Sequence, residues 1–256
     1  MQNLVLLKRR AALKSGKVAI CISGQLRTGI LGHDVFRRFF GSLGNYDVFY
    51  HTWTLKKDTS EKLQSLYNPV AFIEEPPIDV TEVGNFGSML YSIMMANELK
   101  KRHEIENNFR YDLVIKTRFD LIFHELSRFP LNPILPRTIY SAGGNVGINN
   151  TDYEHHGISD LIFWGDSQSM DIACNTFRYY KYTALYNDIF LKEGVKMDVS
   201  DYYLSPGTMI YQKTIEKNIA HIRWVQGINE VPWRDDVAHL DPMKDYDKIR
   251  DRYAKF

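Results

Sequence analysis

Arg118 and Asp120 interrupt an otherwise apolar run, Tyr111-Asp-Leu-Val-Ile-Lys-Thr-Arg-Phe-Asp-Leu-Ile-Phe123, and chemistry is first expected there. In an α/β protein the carboxyl ends of strands face the ligand crevice. A carboxylate held at such an end suits a hard divalent cation, Mn²⁺ or Mg²⁺, which takes one or two carboxylates together with substrate oxygens. Such a cation at Asp120 would neutralise a departing diphosphate. The competing reading pairs Asp120 with Arg118 or makes it a turn cap, and spacing alone leaves both open.

Two further clusters carry reactive types. Ser23-Gly24-Gln25-Leu26-Arg27-Thr28-Gly29 leads from an apolar run into a helical pattern. Backbone N–H groups and a helix N-terminus at such a turn attract phosphate, and Arg27 offers a bidentate partner for a diphosphate. The turn is neither G-x-G-x-x-G nor a P-loop, so an ordinary strand-to-helix turn competes on even terms. The third cluster, His155-His156-Gly157-Ile158-Ser159-Asp160, sets two imidazoles and a carboxylate before an apolar segment. Asp160, or His156 in its place, is a candidate general base toward an acceptor hydroxyl. The plainer alternative has Asp160 starting a strand and the histidines exposed in a loop. Adjacent histidines have no zinc-ligand spacing.

The elements that must position these groups follow from periodicity. Lys17 to Ser23 is a continuous apolar run suited to a strand buried on both faces. Thr28 to Ser42 carries Ile30, Leu31, Val35, Phe36, Phe39 and Phe40 near helical spacing. A strand is expected over Tyr46 to His51, a helix over Thr59 to Tyr67 and a strand over Val70 to Ile73, ending at Glu74-Glu-Pro-Pro77. A long helix from Phe86 to about Asn107 shows one face through Phe86, Met89, Leu90, Ile93, Met94 and Asn97, with Ser88, Tyr91, Ser92 and Met95 on the other. Beyond the Arg118/Asp120 strand come a short strand near Thr138 to Ser141 and a turn-rich loop over Gly143 to Asp152, read as a mobile binding loop. A strand over Ser159 to Trp164, an aromatic helix from Ser167 to about Asp188, a helix over Pro206 to Asn218 and a strand over His221 to Val225 complete the pattern. The tail from Asp241 is charged. The alternation predicts an α/β fold, a three-layer sandwich around a mainly parallel sheet.

Composition narrows the function. With 32 Lys and Arg against 31 Asp and Glu in 256 residues, the net charge of +1 argues against a general nucleic-acid or membrane-surface binder. Cys21 and Cys174 form no disulfide framework or metal spacing and are expected reduced and buried. No apolar run reaches bilayer length and Met1 to Lys17 makes a poor secretory signal, so a cytoplasmic protein without an integral membrane segment is expected. Among the many aromatics, His51-Thr52-Trp53, Trp224 and Trp233 beside Arg234 combine ring faces with polar tips suited to sugars or bases. Core packing is the alternative for each.

Ile20-Cys-Ile-Ser-Gly-Gln-Leu-Arg27, Tyr46-Asp-Val-Phe-Tyr-His-Thr-Trp53, Met89 to Leu99, Tyr111 to Asp120 and Ser159 to Met170, in that order, resemble a viral and bacterial group of GT-A-like glycosyltransferases. The group includes the first domain of a chlorella-virus multidomain enzyme, and the resemblance spans about residues 17 to 225. It implies a single GT-A-like domain over 1–256, with a nucleotide-sugar half at 17–123, an acceptor half at 124–240 and a tail at 241–256. By this likeness Ser23, Gly24, Gln25 and Arg27 line the nucleotide pocket, Ser88 and Ser92 face the donor sugar, and Asp120 stands at the last carboxylate of an Asp-x-Asp metal site. Arg118 replaces the first carboxylate, and Gly207 stands where relatives carry an acid. Asp160 is then the base that activates a glycan or other hydroxyl acceptor for transfer from a nucleotide-diphosphate sugar. A nucleotide- or glycan-binding module without catalysis, and a sugar nucleotidyltransferase, are the alternatives. The latter lacks its lysine in the turn at Ser23 to Gly29.

Overall fold

Strand β1, Val18–Ser23, is buried at every position, as a run of apolar residues with helices on both faces must be. In the computed structural model, residues 16–124, 127–130, 133–142, 158–180, 240, 244–245 and 247–248 are described, with the backbone alone at 221–225 and 230–232. β2 (Asp47–Trp53) lies parallel to β1, and β3 (Ala71–Glu75) parallel to β2. The chain then crosses to the opposite side of β1, where β4 (Leu113–Thr117) pairs in parallel, Ile22 opposite Thr117. β7 (Phe163–Gly165) runs antiparallel to both β4 and β6 (Thr138–Ala142), and β8 (His221–Val225) pairs in parallel with β6. The order in this seven-stranded sheet is β3-β2-β1-β4-β7-β6-β8. β5 (Leu121–Phe123) leaves it to pair antiparallel with β9 (Glu230–Pro232). The sheet draws strands from both expected halves.

Helices cover both faces. On one, α1 (His33–Phe40) and α2 (Lys57–Tyr67) bury Val35, Phe36, Phe39, Phe40, Leu63 and Tyr67 against Ile20, Ile22 and Ile115. On the other, α3 (Val80–Glu106) and α4 (Ser167–Cys174) bury Leu90, Ile93, Ala96, Leu99, Met170 and Ala173 against Ala19, Cys21 and Val114. The result is the expected α/β arrangement, a mainly parallel mixed sheet between helical layers. Cys21 and Cys174 are both buried free thiols. Burial pushes the Cys21 thiol up to about 12, which keeps it protonated and inert.

Several boundaries differ from expectation for identifiable reasons. The run from Tyr111 to Phe123 is two strands, because Phe119 turns inward against Tyr50 and Tyr67 while Arg118 and Asp120 bond to each other. Residues 159 and 160 stand outside β7, held instead by side chains: Ser141 Oγ accepts from the Ser159 N–H, and Lys116 Nζ donates to the Asp160 carbonyl. α1 starts later than Thr28 because the chain first makes the turn that ends at Gly32. α3 begins at Val80, capped by Asp79, and is interrupted at Gly84, whose φ of 66° only glycine adopts freely. The helix expected from Ser167 is broken after Cys174 by a turn at 175–176, where Thr176 Oγ1 donates to the Ala173 carbonyl, and helical backbone resumes at 177–180; 181–188 lie outside the described residues. The loop at 143–152, the helix over 206–218, His155, His156, Gly207, the side chain of Trp224, Trp233, Arg234 and most of the tail lie outside the described residues. Among the described residues no helix is long and apolar enough to cross a membrane.

Candidate functional site

From β1 the chain runs outward to β2 and β3 on one side, while β4 sits on the other. The loops leaving the carboxyl ends of β1 and β4 therefore diverge at a topological switch point, where open α/β sheets hold their ligands. The loop after β1 is bent by Gly24, at φ 105°, and by Arg27, a non-glycine residue held at φ 42°. Its main chain is anchored by Gly24 N–H, which donates to Ser92 Oγ at 2.7 Å and to the His51 carbonyl at 3.2 Å. A Cβ on Gly29 would lie 2.8 Å from both Leu26 Cδ1 and Phe119 Cβ, so this loop packs flush against the one after β4.

The two loops are joined by charge. Arg27 Nη1 donates to Asp120 Oδ2 at 2.7 Å and its Nε to Gln25 Oε1 at 3.1 Å. Arg118 grips the same carboxylate through two bonds of 2.8 Å, from Nε to Oδ1 and from Nη2 to Oδ2. Its remaining Nη1 reaches Asp160 Oδ2 at 3.1 Å. Exposure rises outward, from 2% for the Asp120 side chain through 17% for Arg118 and 27% for Arg27 to 43% for Asp160. Burial alone would raise the Asp120 carboxyl; the charges and hydrogen bonds of Arg118 and Arg27 outweigh it and hold the group below the usual carboxylate range. Beneath them, burial brings the Lys116 ammonium down to about 8, against the opposing pull of Asp160. That ammonium also lies 5.6 Å from the centre of the Phe163 ring.

The structure thus gathers Gly24, Gln25, Arg27, Arg118, Asp120 and Asp160 at one end of the sheet. Ser23 closes β1 and is buried there. Ser92 does not stand where the resemblance would have it, facing a donor sugar. It is 1% exposed, and its hydroxyl is occupied by Gly24 and by His51 Nδ1 at 2.7 Å. It supports the turn from inside and presents no surface to a sugar. Ser88 lies one helical turn before it, half-buried. His156 lies outside the described residues.

Sequence reasoning missed the role of two side chains beside this site. Glu75 accepts from Tyr91 Oη at 2.8 Å and sits 2.9 Å from His51 Nε2. A pair of acids ending β3 beside a histidine near the end of β2 was the available signal, but which of Glu74 and Glu75 faces His51 depends on register. Glu74 turns to the other face, to Tyr50 Oη at 2.7 Å and Ser60 Oγ at 2.9 Å.

A divalent cation at Asp120 fits this donor set poorly. Both carboxylate oxygens already accept guanidinium hydrogen bonds, the nearest second acid is turned to Arg118, and two permanent positive charges stand where the cation would. Among the described residues no three His, Cys, Asp or Glu side chains converge as a metal cage. The expected metal ligand is instead the anchor of an arginine pair. Compared with known protein families and with curated proteins, the chain matches none.

Proposed function

We propose that this chain is a glycosyltransferase of GT-A-like fold that moves a sugar from a nucleotide-diphosphate sugar to an acceptor hydroxyl, with Arg27 and Arg118 holding the diphosphate. The carrying observation is the Arg27 to Asp120 bond, which ties the loops after β1 and β4 together at the switch point and fixes two guanidiniums on one buried carboxylate. Guanidinium forks match phosphate oxygens bidentately, and fixed positive charge favours the anion that departs. In the reaction an acceptor oxygen bonds to the anomeric carbon as that carbon's bond to the diphosphate breaks. Asp160, the most exposed acid of the cluster, takes the proton of the acceptor hydroxyl.

A binding module without catalysis is the second reading, favoured by the bond that turns one Asp160 oxygen toward Arg118. Thermal-shift and calorimetric binding of a panel of nucleotide sugars, with and without Mn²⁺, combined with a transfer assay, separates the two. Binding of one donor with turnover, unchanged by chelator, is the expected result. Binding without transfer or hydrolysis supports the module, and no binding of any donor overturns both.

A further inference from the structure

Ser92, His51 and Glu75 have the composition of a hydrolytic triad, yet they are arranged for another task. His51 Nδ1 lies 2.7 Å from Ser92 Oγ and Nε2 lies 2.9 Å from Glu75 Oε1, so a serine, an imidazole and a carboxylate stand in line. A nucleophile must meet its substrate, but Ser92 is 1% exposed and His51 fully buried. The far end of the line is the Gly24 amide, which donates to Ser92 Oγ at 2.7 Å.

The hydrogen bonds have one consistent direction. Glu75 as a carboxylate only accepts, from Tyr91 Oη and from His51 Nε2–H. Partial burial pulls the Glu75 carboxyl up, and those two bonds outweigh it, so the group stays ionised. A neutral His51 with its proton on Nε2 leaves Nδ1 bare to accept the Ser92 hydroxyl proton, and Ser92 Oγ is then free to accept from Gly24 N–H. A second proton on His51 reverses this order. Nδ1 would become a donor, and the Ser92 proton would have to turn to the His51 carbonyl, 3.4 Å away and already accepting from Gly24 at 3.2 Å. Glu75 from β3 is the one charged group acting on His51 among the described residues. α3 presents the hydroxyls of Tyr91 and Ser92, β1 presents the Gly24 amide, and Trp53 on β2 meets the ring edge-on at 5.0 Å.

We propose that Ser92, His51 and Glu75 are positioning residues that hold the Gly24 turn in its nucleotide-accepting shape while His51 is neutral, so that nucleotide affinity falls on acidification. The proposal rests on the reading of the switch-point crevice as a nucleotide site. Burial outweighs the pull of Glu75 and keeps His51 below its ordinary value, so the relay is set at pH 7 and reverses only well on the acid side.

The test follows uridine and guanosine diphosphate affinity from pH 5 to 8 in the wild type, Ser92→Ala and His51→Gln, with ¹H–¹⁵N spectra of the Gly24 amide and the His51 ring recorded alongside. The diphosphate that binds should weaken about tenfold in the wild type as the His51 ring takes its second proton, the size of an ordinary coupling between sites, and both variants should bind more weakly with a flat profile. The wild-type Gly24 resonance should move with the His51 ring titration. A Gly24 resonance indifferent to that titration overturns the relay, whether or not nucleotide binds and whether or not the variants fold. A diphosphate bound equally before and after the His51 ring takes its second proton overturns the proposal and leaves the transferase reading intact. A resonance that tracks His51 in a chain binding neither diphosphate keeps the relay and overturns the nucleotide reading.

Discussion

Two buried charge clusters lie on this sheet, and they are built inside out relative to each other. At the switch point the centre is a carboxylate, Asp120, and the arginines lead outward to solvent. Between α3 and α4 the centre is a cation: Lys100 Nζ, fully buried, donates to Glu104 Oε2 at 3.1 Å, Ser167 Oγ at 2.8 Å and Asp171 Oδ1 at 2.8 Å. Those bonds use all three ammonium protons. Glu104 Oε1 accepts from Ser167 Oγ and the Tyr111 amide, and Asp171 accepts from Arg110 and Asn97. At its centre this second network is closed, Lys100 having no proton to spare, and it stitches α3 to α4 and to the approach of β4; at its rim stands Arg110, with a side chain 59% exposed. The first has capacity left over, since Arg27 Nη2 takes no partner among the described residues and Arg27 is 27% exposed. Burial and charge alone therefore do not separate a site from a structural strut. What sets the first apart is its place at the carboxyl ends of β1 and β4, the switch point of the sheet.

The largest effect expected from breaking that contrast is on the closed network. Lys100→Met leaves Glu104 and Asp171 without their central cation and should cost about 3 to 5 kcal/mol, as loss of one partner of a buried pair does. Urea unfolding would register it, while nucleotide affinity per folded molecule stays unchanged. At the open cluster the order inverts. Asp160→Asn should leave unfolding almost unmoved and donor affinity intact, but lower the transfer rate by about 10² to 10⁴-fold if it removes the base. Full transfer activity in Asp160→Asn would remove that residue from the mechanism. Asp120→Asn sits between the two: it loosens Arg27 and Arg118 together, should lower stability by about 1 to 3 kcal/mol through lost charge-assisted bonds, and should weaken donor binding with no rescue by Mn²⁺. Rescue by Mn²⁺ would restore the metal reading that the arginine pair displaces.

The same contrast explains what the sequence disclosed. The apolar runs of β1, β2 and β4 are legible because each is buried on both faces and needs nothing else to declare itself. Arg118 and Asp120 are legible because charge inside such a run has few explanations. Their linkage to Arg27 and Asp160 is recoverable only in part, since it depends on which strands neighbour β1. The reversal of β7 leaves no local trace, as a three-residue strand reads alike in either direction. The support Ser92 gives the turn was hidden by its type: a serine expected to face a sugar is instead satisfied by His51 and Gly24, which only the fold brings to it. Lys100 was hidden for the same reason, because a helical lysine is ordinarily exposed and only its three partners, from two helices, account for its burial.

Acid should then act in two stages, first at His51 and then at both clusters. His51 lies below its ordinary value, so between its folded and unfolded titrations the unfolded chain binds more protons, and stability present above about pH 6.5 declines as pH falls. Asp120 and Asp171 are both pulled below the usual carboxylate value, by Arg118 with Arg27 and by Lys100 with Arg110 and Asn97, each against its own burial. Their stabilisation is complete above about pH 4 and is lost below it, so a second, steeper decline belongs to both clusters together. Urea midpoints taken at intervals of pH should show the two stages, and His51→Gln should remove the first alone. Against these, Lys57 and Glu61 mark the lower limit of the scale. They face each other across one turn of α2 at 3.8 Å, with the Lys57 side chain 85% exposed. Water screens such a pair and both side chains lose rotamer freedom to form it, so Lys57→Ala should change stability by no more than about 0.5 kcal/mol, with no change in nucleotide affinity. A larger loss would mean that α2 is held to the sheet less firmly than the buried Leu63 and Tyr67 imply.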